Sequence, residues 1–202
     1  MQTSTRNLVL AVSLTVLPVA HAQIGNPAFM APDTVFEEGG VPAPQQSNTA
    51  DVLFSRLLTE GGLAEIELGE LAGDMASAPS VQDFASRMIR DHSDANETLA
   101  GLAAGNDIPL PEELNPHHMD VRARLESADS ERFDLDYIRA QVVEHQKAVS
   151  LLVWEIASGQ DAELQQFAAA TLPTVLAHLE QAKAIMAELV SGDAGAAERL
   201  RP

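Results

Sequence analysis

Four side chains able to bind a metal or carry a proton interrupt four otherwise apolar helical stripes. Residues 81–99, VQDFASRMIRDHSDANETL, read as an amphipathic helix whose apolar face runs Val81, Ala85, Met88, His92, Ala95, Leu99. His92 falls in the middle of that face. The same count in threes and fours gives Phe54, Leu58, Gly61, Glu65, Leu68 and Ala72 on an earlier helix. A third stripe is Ile138, Gln141 or Val142, His145, Val149, Leu152 and Ile156. A fourth is Leu164, Ala168, Thr171, Val175, His178, Ala182, Ile185 and Leu189. Each polar member lies within about two residues of the midpoint of its helix, roughly 3 Å at 1.5 Å per residue. Helices of similar length packed side by side share a midpoint layer whichever way each runs. Glu65, His92, His145 and His178 are therefore expected to converge on one point.

The chemistry this layer could do follows from its donor types. Three imidazoles and a carboxylate are costly to bury without partners. Neutral imidazole and carboxylate are natural ligands of a divalent cation, so one metal ion held by Glu65, His92, His145 and His178 is the first expectation. Zn, Fe, Mn and Cu suit the set about equally by ligand type, and Cu and Zn are favoured in competition. A metal-free reading stands beside it: a hydrogen-bonded Glu–His layer fixing helix register in an interaction module. A redox enzyme using the same residues is the weaker third reading. The chain contains no cysteine, which removes thiolate sites, iron–sulfur clusters and disulfides. It shows no Ser–His–Asp pattern, P-loop or dinucleotide fingerprint, so no catalytic residue is assigned.

Four helices must position these residues. They are expected at about 49–76, 80–105, 130–157 and 161–190, with Asn48 or Thr49, Ser80, and Asp129 or Ser130 as N-caps. Gly61-Gly62 should interrupt the first, and Pro173 should kink the last. Residues 106–128 form a long connection, Pro-rich through IPLPEELNPHH, with a short helix near 119–127. Such a connection suits a bundle in which one crossover joins two helical hairpins. The expected fold is an all-α, ferritin-like four-helix bundle over residues 49–190, followed by a flexible tail at 191–202. Ahead of it, residues 1–22 read as a signal peptide: Arg6, a short apolar run from Leu8 to Val19, then Ala20-His21-Ala22 before the cut. That implies a periplasmic or secreted protein, with outer-membrane association compatible. Residues 23–48 are rich in Pro, Gly and polar residues and read as a disordered linker.

Composition agrees with close-packed helices. Aromatic residues are only 4% of the 202-residue chain, so its core must be built from Leu, Ala, Val, Ile and Met. A net charge of -18 argues against nucleic acid and anionic lipid as partners, and attracts cations weakly. A homo-oligomer is compatible with this composition, and no small-molecule substrate is indicated.

Four sequence blocks, in order, carry a family resemblance: AEIELGELA (64–72), FASRMIRDH (84–92), RFDLDYIRAQVVEHQKAV (132–149) and LPTVLAHLE (172–180). The chain resembles the bacterial domain of unknown function 4142 from about residue 51 to 188. The resemblance implies a ferritin-like bundle in an exported protein and no particular activity; an envelope or stress-related role goes with the metal-binding expectation. The family pattern includes residues matching Glu65, Asp91, His92, Asp134, Tyr137, His145 and His178. Di-iron ferritin-like proteins use Glu-x-x-His twice plus two further Glu. Here Ile89, Val142 and Val175 precede the three histidines by three positions, so the bridging carboxylates are missing. A mononuclear site is expected instead.

Other polar residues read more simply. Asp91 lies about 100° around the helix from His92 and is expected to be a surface charge or a cross-helix salt-bridge partner. Glu144 bears the same relation to His145. Asp134 is too far along its helix for the central layer and reads as a capping or dipole-pairing residue, with Tyr137 anchoring the crossover. His117-His118 are expected to be solvent-exposed loop neighbours, with a surface metal site there the less favoured alternative in the absence of rigidly held carboxylates, and Trp154 and the methionines core or interface filling.

Overall fold

The structure is a computed structural model, and it describes residues 45–199. It contains α1 (Thr49–Met75), α2 (Pro79–Gly105), α3 (Pro116–Glu126), α4 (Ser130–Ser158) and α5 (Ala162–Arg199). The expected signal peptide and nearly all of the expected linker lie outside the described residues. α1 packs on α2 and α4, and α5 packs on α4 and α2, which closes a ring of four long helices. α3 lies outside that ring, against α1 and α4. The chain is thus an all-α, ferritin-like four-helix bundle.

Hydrogen bonds between helix ends set the direction of each helix. The Asp134 carboxylate, near the start of α4, accepts the Ser77 and Ala78 amides in the α1–α2 turn at 3.0 and 2.8 Å. The Asp51 carboxylate, near the start of α1, accepts the Gln160 and Asp161 amides in the α4–α5 turn at 3.1 Å. α2 and α4 therefore start at the same end of the bundle. The chain between them must travel its full length, and α3 is the helical part of that crossover.

Local chemistry explains most boundaries. Asn48 caps α1 in a capping box: its side chain accepts the Ala50 and Asp51 amides, and Asp51 accepts the Asn48 amide. Asp161 caps α5 by accepting the Glu163 and Leu164 amides at 2.9 and 2.8 Å. Ser80 is not the cap of α2. Pro79 occupies its first turn, and Ala78 stands at the N-cap with no side-chain bond of its own. Asp134, from α4, instead accepts the amides of Ser77 and of the N-cap residue Ala78, which fixes the turn that leads into α2. The Asp134→Ala variant should lose about 1–3 kcal/mol of stability, read as a lower denaturant midpoint at unchanged slope.

Gly61-Gly62 does not interrupt α1, which is continuous through both. Gly62 has a packing role: a Cβ there would lie 2.2 Å from the Asn96 side chain of α2. At Gly69 a Cβ would meet Ile89 at 2.8 Å and the Ala85 carbonyl at 3.1 Å, so α1 and α2 approach closely there. α5 likewise runs through Pro173 and on to Arg199, so most of the segment expected as a flexible tail is helix. The main apolar cluster joins Leu68, Val81, Phe84, Met88, Phe133, Tyr137, Ile138 and Ile185 toward the α1–α2 turn. Phe54 and Phe167 meet edge to face toward the other end. The histidine layer lies between them.

Candidate metal centre

The helices bring His92, His145 and His178 together. Their ring centroids form a near-regular triangle, 5.6, 5.7 and 5.4 Å on a side. One potential ligand nitrogen from each ring lies within 4.8 Å of those from the other two. His145 and His178 are each 1% exposed, and His92 is half-buried. Each ring comes from a different helix: α2, α4 and α5.

Neighbouring acceptors orient two of the rings. His145 Nδ1 lies 2.9 Å from the Gln141 carbonyl one turn earlier, an acceptor that fixes the proton on Nδ1. His178 Nε2 lies 2.8 Å from Asp91 Oδ2, which fixes the proton on Nε2 in the neutral ring. That leaves lone pairs on His145 Nε2 and His178 Nδ1. Both atoms are buried without a hydrogen-bond partner, and so is His92 Nε2. Asp91 is itself held by Arg87, whose Nε donates at 3.1 Å, while Arg87 Nη1 donates to Gln181 at 2.8 Å.

Glu65 is placed beside this triangle, outside its three-donor group. Its Oε1 lies 3.7 Å from His145 Nδ1, the nitrogen already committed to Gln141, and its Oε2 has no partner among the described residues. Burial pushes the Glu65 carboxyl up to about 8, which Gln141 opposes. At neutral pH it is therefore largely protonated. Burial, with each ring disfavouring charge on the next, drives the imidazoles the other way. His92 is pushed down to about 3 and His178 to about 4, and His145 is also lowered by burial. Asp91 stays ionised: burial opposes its charge, but hydrogen bonds from His178 and Arg87 hold it below the usual carboxylate range. At pH 7 the centre presents three neutral rings backed by one carboxylate.

Several placements depend on packing between helices. Asp91 is the cross-helix partner of His178, and its position adjoining His92 in the sequence gave the signal. Tyr137 shares its apolar cluster with Val121 and Leu125 of the crossover helix α3. It is fully buried, stacked on Phe133 and edge-on to Phe84, and burial together with nearby Glu65 pushes its hydroxyl well above the usual tyrosine value. His118 is buried at 6% exposure in the first turn of α3, and only His117 faces solvent. Pro116 explains the difference: at the first position of a helix it starts the element and does not prevent it.

Fold and centre together define a ferritin-like helical bundle with a buried three-histidine cluster in place of a di-iron carboxylate site. The chain belongs to the DUF4142 family, a domain of unknown function, which it matches over residues 37–185. No curated protein sequence matches it. Among solved structures it is similar to a DUF305 fragment from Deinococcus radiodurans, at 13% identity and a TM-score of 0.63, covering 70% of this chain and 98% of that one. It is also similar to CopM in the Cu(II)-bound form, at 20% identity and a TM-score of 0.59, covering 68% of this chain and 96% of that one. At these identities the likeness concerns the fold.

Proposed function

We propose that this protein binds one divalent transition-metal ion through His92, His145 and His178, in an exported metal-buffering or envelope-stress role. One observation carries the reading: one nitrogen from each of the three rings lies within 4.8 Å of the other two, and each ring has a buried nitrogen without a partner among the described residues. The lone pairs on His145 Nε2 and His178 Nδ1 cannot bond to each other. A proton on His92 Nε2 could serve only one of them. No protein group among the described residues bonds to these nitrogens, and a single cation satisfies all three. A four-coordinate ion with nitrogen ligands at about 2.0–2.1 Å holds them roughly 3.4 Å apart. Donors at most 4.8 Å apart reach that spacing by moving inward less than about 1 Å each.

Copper(II) and zinc are the ions to test first. Both stand high in the affinity order for imidazole sites, and the fold neighbour CopM is described in a Cu(II)-bound form. Glu65 and Asp91 supply the compensating charge in this reading: Asp91 through His178, and Glu65 by losing its proton once a cation sits beside His145. The signal-like residues 1–22 support export, and no helix among the described residues is long and apolar enough to cross a membrane.

Equilibrium binding tests the proposal. Protein stripped with a chelator and titrated with copper(II) or zinc at pH 7 takes up an ion at a site that His178→Ala removes. Binding that is unchanged in His178→Ala refutes the site. Asp91→Ala, which frees the outer nitrogen of His178, should weaken this binding about 10–100-fold without abolishing it.

A further inference from the structure

Outside the central layer, the structure assembles a second group with metal-ligand chemistry. His117 and His118 begin α3, and Glu144 faces them from α4. One ligand atom from each lies within 4.8 Å of the others. His117 Nε2 is 3.6 Å from Glu144 Oε1, and His118 Nε2 is 3.5 Å from Glu144 Oε2. These separations are long for hydrogen bonds. They match the roughly 3.4 Å between ligand atoms that share one four-coordinate ion. The His118 side chain is 8% exposed, and its Nδ1 has no partner among the described residues.

The two histidines are held in place. The Asn115 side chain caps α3 by accepting the His118 amide at 2.9 Å, and its Nδ2 donates to Glu60 of α1 at 2.9 Å. Arg122, further along α3, pairs with Glu67 of α1 at 3.1 Å. A cationic group already occupies the spot: Lys147 Nζ lies 2.8 Å from Glu144 Oε1 and 3.4 Å from His117 Nε2. Its side chain is 54% exposed and extends from α4, so it can swing out.

We propose that His117, His118 and Glu144 form a second, outer site for a borderline divalent cation such as zinc or copper(II), and that the Lys147 ammonium fills it when no ion is bound. Two imidazoles and one carboxylate supply three protein ligands, and solvent supplies the fourth at the open, His117 side. This site does not depend on the central one, because the two share no residue.

Zinc titration by calorimetry, with imidazole NMR signals assigned to each histidine, tests the outer site. In the wild-type protein the His117 and His118 ring signals should shift together as zinc is added. His117→Ala should lower the affinity of that event at least tenfold, and Lys147→Met should raise it about fivefold or more by removing the competing ammonium. Both residues are exposed, so neither change threatens the fold, and unchanged circular dichroism verifies that. Ring signals of His117 and His118 that stay fixed under saturating zinc overturn the proposal, as does a Lys147→Met affinity equal to wild type. The central site reports separately through the His92, His145 and His178 signals, so failure of either site is seen independently of the other.

Discussion

Saturating zinc or copper(II) should raise the melting temperature of the metal-free protein by roughly 5–10 °C. An ion present at 100 times its dissociation constant adds about 2.7 kcal/mol to the stability of a folded state that alone binds it. For a domain of about 150–250 residues, each kcal/mol moves the midpoint by about 2–4 °C. The main part of the shift belongs to the central cluster, since the rings there come from α2, α4 and α5 and one ion ties three helices. It should therefore nearly vanish in His178→Ala. His92→Leu separates a functional centre from a structural polar layer. If the layer exists to hold register, replacing His92 lowers the stability of the metal-free form. If the layer exists to bind an ion, one nitrogen of each ring makes no bond to another ring or to any other described residue, and an apolar side chain of similar volume leaves the metal-free form as stable or more so. The expected result is a metal-free melting point no lower than wild type, with the zinc shift gone. A lower metal-free melting point with the zinc shift retained would count decisively against the centre.

The metal-free protein should be most stable near pH 6.5 and lose stability on both sides, with opposite groups responsible. His92, His178 and His145 have folded pKa values depressed by burial, the first two to about 3 and about 4. Their contribution is present above the unfolded value of about 6.5 and is lost as pH falls toward those folded values. Glu65 and Glu155 have folded values raised by burial to about 8 and about 9. For Glu155 the neighbouring Asp51 and Asp161 add to the effect. These two contribute fully below about 4.5, and the contribution disappears as pH rises through 8 to 9. Between about pH 4.5 and 6.5 the two extra protons of the unfolded chain on His92 and His178 offset the two it lacks on Glu65 and Glu155, and the lowering of His145 tips the balance so that stability rises with pH. Above 6.5 the histidine difference is gone and the folded chain holds about two more protons, so stability falls. Each proton of difference is worth roughly 1.4 kcal/mol per pH unit. Chemical denaturation of the stripped protein across pH 4 to 9 checks the profile. Glu155→Gln, which mimics the protonated acid, should flatten the alkaline limb and steepen the acid limb, because it removes one of the two protons that offset the histidines there. A stability that climbs steadily from pH 6.5 to 9 would contradict the burial of both carboxyls.

The acid limb also bears on metal uptake. Because burial lowers all three imidazoles, His92 and His178 to about 3 and about 4, protons compete with a bound ion only under more acidic conditions than at an ordinary histidine site.

Sequence alone determined the helices, their approximate ends and the height of each polar residue. Apolar periodicity sets a helix and its buried face, and the fixed rise of 1.5 Å per residue sets height without any knowledge of neighbours. The long 106–128 connection also determined the crossover, since no short turn spans those residues. Tertiary structure alone decided which atoms face one another. Glu65 has the right height, but the packing of α1 sets its Oε1 3.7 Å from Nδ1 of His145 and leaves it outside the three-histidine donor group. Asp91 lies about 100° from the buried stripe of α2, yet the closeness of α5 brings His178 Nε2 within 2.8 Å of it. His117, His118 and Glu144 come together only because α3 folds back along α1 and α4. Asp134 accepts amides in a turn between two helices it does not belong to. The physical reason is the same in each case. Position along a helix is a local quantity fixed by backbone geometry. Rotation about its axis, and the partner met there, are set by the summed packing of all the helices at once.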